Sequence, residues 1–287
     1  MPLVHKVLRP RAASEASKPP LIVLLHGSGG DEDDLLSFGA VASEACGGAV
    51  VASLRAPYSQ LGGFAWFHGN SRAPPAAALE TEIGSSAEAV VRFLDAAPAA
   101  FGTDPARSCL FGFSQGATIG WVIALMRWPR PDLLASLCLI SGRAMPDLLV
   151  PATSLGKRVM SSEVLASRPR VFAAHGTADC TTPVELGQQS VSLGRTAGLL
   201  VDVVQHDQGH TITIELMAEV GRYMKASFAA TEPAPPADVP AAPAVAALPP
   251  APPMAPPEPV APEHLSATPE SSSEGAGPSS APNQPGC

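Results

Sequence analysis

Nowhere in its 287 residues does the chain reach the roughly 18 consecutive apolar residues that a membrane-spanning helix requires. The stretch MPLVHKVLRPRAASEASKPP at the N-terminus also lacks the continuous apolar segment of a secretory signal, so a cytoplasmic location is expected. Cysteine is sparse: Cys46, Cys109, Cys138, Cys180 and Cys287 are odd in number, widely spaced and free of any CxxC pair. That pattern argues against a disulfide framework and against a zinc site. Cys287 is the last residue, whereas a prenylation box places its cysteine fourth from the end.

Lysine and arginine are absent from Thr231 onward, and so are aromatics. Pro, Ala and Ser dominate there (PAPPADVPAAPAVAALPPAPPMAPPEPVAPEH, then ESSSEGAGPSSAPNQPGC) without apolar periodicity, which predicts a disordered, partly polyproline II tail over residues 230–287 behind a folded domain over 1–229. The tail carries six acids (Glu232, Asp238, Glu258, Glu263, Glu270, Glu274) and thus most of the net charge of −8. The body, with 18 basic and 20 acidic residues and no basic run, gives no electrostatic reason to expect nucleic acid. A small neutral or apolar substrate fits it better.

Short apolar runs alternate with helical patterns in the body: LIVLL (21–25), AVVAS (49–53), CLFGF (109–113), SLCLIS (136–141), RVFAAH (170–175) and LVDVVQ (200–205). Such runs read as buried parallel strands. Helices are predicted over Leu79–Ala97, Gln115–Trp128 and Thr211–Phe228, the first with Ile83, Ala87, Val90, Val91 and Leu94 on one face. Strand and helix in alternation specify an α/β fold, a mostly parallel sheet with helices on both faces. Arg143–Arg168 is less regular and reads as a loop or a cap.

GFSQG (Gly112–Gly116) matches G-x-S-x-G between an apolar strand and a helix, the context of a nucleophile elbow. A turn sharp enough to raise the Ser114 hydroxyl above a sheet leaves no room for a Cβ at Gly112 or Gly116, and the helix N-terminus favours developing negative charge. The alternative is a plain glycine-rich turn. A serine alcohol needs a base, and the base needs an orienting carboxylate. In α/β-hydrolases these follow in the order Ser, Asp or Glu, His. HGTAD sets Asp179 just beyond one predicted strand, and DQGH sets His210 just beyond the next, at the carboxyl ends where open α/β sheets build their sites. His206 rivals His210, which gains from the freedom that Gly209 lends its loop. Asp202 and Asp207 rival Asp179, which could also cap the helix suggested by TTPVELGQQ. His175 and Gly176 read as shaping the Asp179 loop and not as metal ligands. Two N–H donors are needed for an oxyanion: Gln115 offers one, and Ser28 in HGSGG (His26–Gly30) the other.

The blocks LLHGSGGDEDDL, RAPYSQLGGFAWFHG, DPARSCLFGFSQGA, LISGR, HGTADCTTPV and DQGHTI, in this order and spacing over Leu3–Phe228, resemble the carboxylesterase and phospholipase family of small serine hydrolases, which includes acyl-protein thioesterases. The resemblance implies an α/β-hydrolase fold with Ser114 as nucleophile, Asp179 as orienting acid, His210 as base, and the Ser28 and Gln115 amides as oxyanion hole. It also places Trp66 near the acyl site, where the indole could touch substrate or simply pack. Two positions depart from the family pattern: His68 stands where an Asp usually follows the aromatic pair, and Ser28 where thioesterases often carry an apolar residue.

The expected activity is hydrolysis of carboxylic esters through an acyl-enzyme, without cofactor or metal. A lysophospholipase or acyl-protein thioesterase would use the same groups on longer chains; an inactive binding scaffold would break one of the three. The expected partner is a small-molecule ester or acyl thioester, with a homodimer also compatible.

Overall fold

A computed structural model describes residues 3–10, 18–60, 62–69, 77–126, 133–145 and 169–231. Its central sheet has seven strands in the order β1-β3-β2-β6-β7-β8-β9, with β1 (His5–Leu8), β2 (Leu21–Leu25), β3 (Val50–Leu54), β6 (Ser108–Phe113), β7 (Ser136–Ile140), β8 (Arg170–Gly176) and β9 (Val201–His206). Strand β1 runs antiparallel to β3; every other pairing is parallel. The remaining strands, β4 (Tyr58–Gln60) and β5 (Gly63–Ala65), form a separate antiparallel hairpin.

The uniformly apolar runs sit where both faces are covered. Leu21, Val23 and Leu25 of β2 enter one apolar cluster while Ile22 and Leu24 enter the other. The first cluster is closed by α2 (Ala77–Phe101), α3 (Gln115–Leu125) and α4 (Val184–Thr196), the second by α1 (Leu36–Ala45) and α5 (Ile214–Ala230). Each fully buried Leu or Ile contributes about 1.5–3 kcal/mol of hydrophobic stabilisation. Helix α3 is buried along its whole length, which explains why its sequence has no polar stripe. In α5 the Thr213 side chain accepts a hydrogen bond from the Leu216 amide at 3.1 Å, so the helix starts three residues later than the apolar pattern suggests.

Six strands and the helices over α2, α3 and α5 coincide with the predicted segments. Helix α3 ends at Leu125, not Trp128, because Met126 is already extended; residues 127–132 lie outside the described residues, as does most of the irregular 143–168 stretch. The segments without a clear sequence signal are α1, edge strand β1 and the β4–β5 hairpin. Tail residues 232–287 are likewise outside the described residues. Among the described residues no helix is long and apolar enough to cross a membrane.

The strand order reverses between β2 and β6, the first going on to β3 and the second to β7. In an open parallel sheet such a switch point opens a crevice beyond the strand carboxyl ends. The loops after β2, β6, β8 and β9 all emerge on that side.

Candidate active site

The turn after β6 is tight for a steric reason. An ideal Cβ on Gly112 would lie 2.5 Å from the Gly116 carbonyl oxygen, and one on Gly116 would lie 2.2 Å from that of Leu25. Ser114, between them, is driven to φ 55° and ψ −115°, a strained conformation for a residue with a side chain. Its amide is anchored to the Ile140 carbonyl at 2.9 Å, and α3 begins at the next residue.

Beyond β8 and β9 two loops cross. Thr177 N–H donates to the His206 carbonyl at 2.8 Å and Ala178 N–H to the Gln208 carbonyl at 3.2 Å. This crossing brings His210 between Ser114 and Asp179: His210 Nε2 lies 2.8 Å from Ser114 Oγ, and Nδ1 lies 2.7 Å from Asp179 Oδ2. The other carboxylate oxygen accepts the amides of Thr181 at 2.9 Å and Thr182 at 2.8 Å. Asp179 therefore does not cap α4, whose flanking residue is Pro183 and whose first turn lies further on. Its carboxylate is fully buried, so these N–H donors and the imidazole supply the stabilisation that water would otherwise give. His175 supports the same loop: its Nε2 donates to the Thr182 carbonyl at 2.7 Å and sits 3.4 Å from Asp179 Oδ2. Phe113 lies against the His210 ring, centroids 5.0 Å apart.

The rival residues are elsewhere. Asp202 is on the surface, paired with Arg170 at 3.0 Å, and Asp207 bonds the Gln208 side chain. His206 is the last residue of β9, and its ring nitrogens are buried without a partner among the described residues. One sequence argument needs correction. Gly209 has no positive φ, and a Cβ there would meet nothing closer than the Ala178 carbonyl at 3.5 Å, so His210 does not depend on a glycine beside it.

The loop after β2 backs onto the elbow, since a Cβ on Gly27 would sit 3.4 Å from Ser114 Cβ. His26 holds this loop from beneath: its Nδ1 donates to the Gly27 carbonyl at 2.6 Å and its Nε2 accepts the Ala56 amide at 3.1 Å. Burial holds the His26 imidazole below its usual titration range, which matches the neutral tautomer these bonds require. The Ser28 N–H donates to no carbonyl among the described residues. Gln115, as the first residue of α3, has an N–H without an intrahelical acceptor. Neither amide is committed to a backbone carbonyl among the described residues.

Residues 11–228 match the phospholipase/carboxylesterase family model. The chain belongs to this family. An esterase designated PE8 is 25% identical over 79% of this chain and 99% of its own, with a TM-score of 0.64. The Bacillus cereus carboxylesterase shares 20% identity over 79% and 95% of the two chains at a TM-score of 0.62, and SOBER1 of Arabidopsis thaliana 19% over 73% and 99% at 0.56; these two show the common fold. No curated protein sequence matches the chain.

For a member of the phospholipase/carboxylesterase family, the two departures have local compensations. His68, in place of the usual acid, receives one from α2: its N–H donates to Glu82 Oε2 at 2.8 Å and its Nδ1 lies 2.9 Å from Oε1. Burial raises the Glu82 carboxyl pKa, but these bonds outweigh it and leave the group below its usual range. The Ser28 hydroxyl accepts a hydrogen bond from Gln60 Nε2 at 2.8 Å. Neither partner has a motif that would reveal it in the sequence. Trp66 needs correction as a substrate contact. It is fully buried, its indole N–H donates to the His26 carbonyl at 2.9 Å, and it packs behind the loop after β2 and does not line the cleft beside His210.

The cleft beside His210 has a volume of about 410 Å³, with Leu35, Phe113 and Ile212 as apolar wall and Ser28, Asp34 and Thr211 as polar rim. A second cavity of about 390 Å³ lies between α4 and strands β8 and β9, over Trp121 and Val191; neither Ser114 nor His210 lines it. Of these two, the first is the one lined by a member of the hydrogen-bonded row, His210.

Proposed function

We propose that the chain is a serine esterase that cleaves carboxylic esters through a Ser114 acyl-enzyme. The observation that carries this reading is the continuous row Ser114 Oγ to His210 Nε2 at 2.8 Å and His210 Nδ1 to Asp179 Oδ2 at 2.7 Å. In the first half-reaction His210 Nε2 takes the Ser114 proton as Oγ attacks the ester carbonyl carbon. The carbonyl π electrons pass to oxygen, where the Ser28 and Gln115 N–H groups receive the charge; each such donor is typically worth about 3–4 kcal/mol in the transition state. The carbonyl re-forms, the bond to the alkoxy oxygen breaks, and His210 returns its proton to the departing alcohol. Water repeats the sequence on the acyl-enzyme, freeing the carboxylic acid and Ser114. Asp179 keeps the proton of neutral His210 on Nδ1 and stabilises the imidazolium that forms.

The cleft lies near the small end of ligand sites, which commonly span about 300–1,000 Å³. That favours short acyl groups over the long chains of a lysophospholipase or thioesterase. The test is hydrolysis of p-nitrophenyl esters from acetate to palmitate, with fluorophosphonate labelling read by peptide mass spectrometry. Turnover greatest at acetate or butyrate, with one label on Ser114, is expected. Folded protein that neither labels nor exceeds the buffer rate would leave only a binding scaffold, and a maximum at palmitate would replace the short-chain reading.

A further inference from the structure

The two proposed oxyanion donors sit on separate loops, and their spacing must be fixed to a few tenths of an ångström if both are to reach one oxygen. One segment, Tyr58–His68, touches both. At its first end, strand β5 bridges the oxyanion loop: Gly29 N–H donates to the Phe64 carbonyl and Phe64 N–H to the Gly30 carbonyl, each at 2.8 Å. The approach is close enough that a Cβ on Gly63 would lie 2.1 Å from the Gly29 carbonyl oxygen. At its other end the Gln115 side chain grips two consecutive residues: Trp66 N–H donates to Oε1 and Nε2 donates to the Phe67 carbonyl, both at 3.1 Å. Between these ends the Trp66 indole returns to the His26 carbonyl, and the Ser86 hydroxyl donates to the Trp66 carbonyl at 2.6 Å.

The backbone bonds hold Gly29 and Gly30, but the donor on this loop is the residue before them. Among the described residues, the one hydrogen bond from the hairpin to Ser28 itself runs from Gln60 Nε2 to Ser28 Oγ. We infer that Gln60 is a positioning residue for the oxyanion hole, acting through the Ser28 hydroxyl to aim the Ser28 N–H at the oxygen above Ser114. This rests on the proposed esterase mechanism and adds a residue to it. It also gives the serine at position 28 a role that an apolar residue could not fill, since only a side-chain acceptor can take the Gln60 amide.

A neutral, exposed hydrogen bond is worth at most roughly a factor of two to ten in an equilibrium, and this one aims a donor that acts mainly in the transition state. The full-length protein should therefore lose about three- to tenfold in kcat for p-nitrophenyl butyrate on Gln60→Ala, with KM within about twofold and Tm within about 2 °C. Gln60→Met, which keeps the bulk without the donor, should match it. Ser28→Ala, which keeps the N–H and removes the acceptor, should give the same loss, and the double substitution should be no worse than either single one, because all remove one bond. A Gln60→Ala kcat within twofold of the unsubstituted protein, losses that multiply in the double variant, or an effect confined to KM would overturn the inference. Ser114→Ala separates the two levels. If it abolishes turnover while Gln60→Ala is silent, the positioning role alone falls; if it retains turnover, the mechanism beneath it falls as well.

Discussion

A β-carbon on Gly176 would lie 2.2 Å from the Gln208 carbonyl oxygen and 2.4 Å from that of Gly209. The loop that carries Asp179 can cross the loop that carries His210 only because residue 176 has no side chain. Gly176→Ala should push the loops apart, and a displacement of about 1 Å at His210 can cost on the order of a hundredfold in rate. We expect kcat for p-nitrophenyl butyrate to fall at least tenfold, with a Tm loss consistent with about 1–3 kcal/mol of overpacking. A variant with unchanged kcat would mean that the crossing does not set the geometry of the row.

The two histidines near the end of β9 should separate cleanly. His210→Ala removes the proposed base and should lower kcat by several orders of magnitude and suppress fluorophosphonate labelling of Ser114, whereas His206→Ala should change kcat only a few-fold and register mainly in Tm. The reverse ranking would dismantle the proposed row.

Asp179→Asn tests the tautomer. The Thr181 and Thr182 amides occupy Oδ1, so the atom facing His210 would be the new amide nitrogen, a donor where an acceptor is needed. The imidazole would then carry its proton on Nε2, toward Ser114. A loss on the order of 10⁴ in kcat is expected with little change in KM, measured by steady-state hydrolysis.

Acid stability follows from Glu32. Arg55 donates to both of its oxygens, at 2.6 and 2.5 Å, and holds the carboxyl down at about 2 from an ordinary 4.5. A depressed folded-state pKa means that the unfolded chain binds the proton first, so this stabilisation is complete above 4.5 and disappears as pH falls toward 2. His26, lowered by burial, acts in an earlier window, its contribution being lost as pH falls below about 6.5. Glu32→Gln should lower Tm at pH 7, and the gap to the unsubstituted protein should close as pH falls from 4.5 toward 2. A gap that persists at the acid end would assign the loss to packing.

A chain ending at Ala230, the last residue of α5, should retain esterase turnover within about twofold, since the tail composition cannot form a core. A tenfold loss would mean that residues beyond α5 complete the site or the fold.

The middle of the central sheet was legible because β2, β3, β6 and β7 are buried on both faces, so that LIVLL and CLFGF carry uninterrupted apolar signals. Ser114, Asp179 and His210 could be picked out as candidates because each lies in a glycine-bearing turn just beyond a predicted strand. The β4–β5 hairpin was not, since a three-residue strand with mixed burial leaves no period to read. Gln60 and Glu82 are invisible for another reason: each pairs through its side chain with a single residue 32 or 14 positions away, and nothing local marks such a pairing. Trp66 was misplaced because an aromatic near a predicted acyl site reads the same whether its face meets substrate or the back of a loop.

The order in which the strands contribute to the row also bears on how the protein gains activity as it folds. Ser114 and His210 are 96 residues apart, and β9, which delivers the histidine, is the last strand among the described residues and pairs there with β8 alone. Parallel pairing of this kind closes long loops before it is rewarded, so such sheets form slowly. A nascent or refolding chain can therefore have most of its sheet, its elbow and the loops of both proposed oxyanion donors in place while it still lacks the proposed base. Recovery of esterase turnover should lag recovery of helical circular dichroism, and the lag would measure the docking of the final strand and helix α5 onto a sheet already formed.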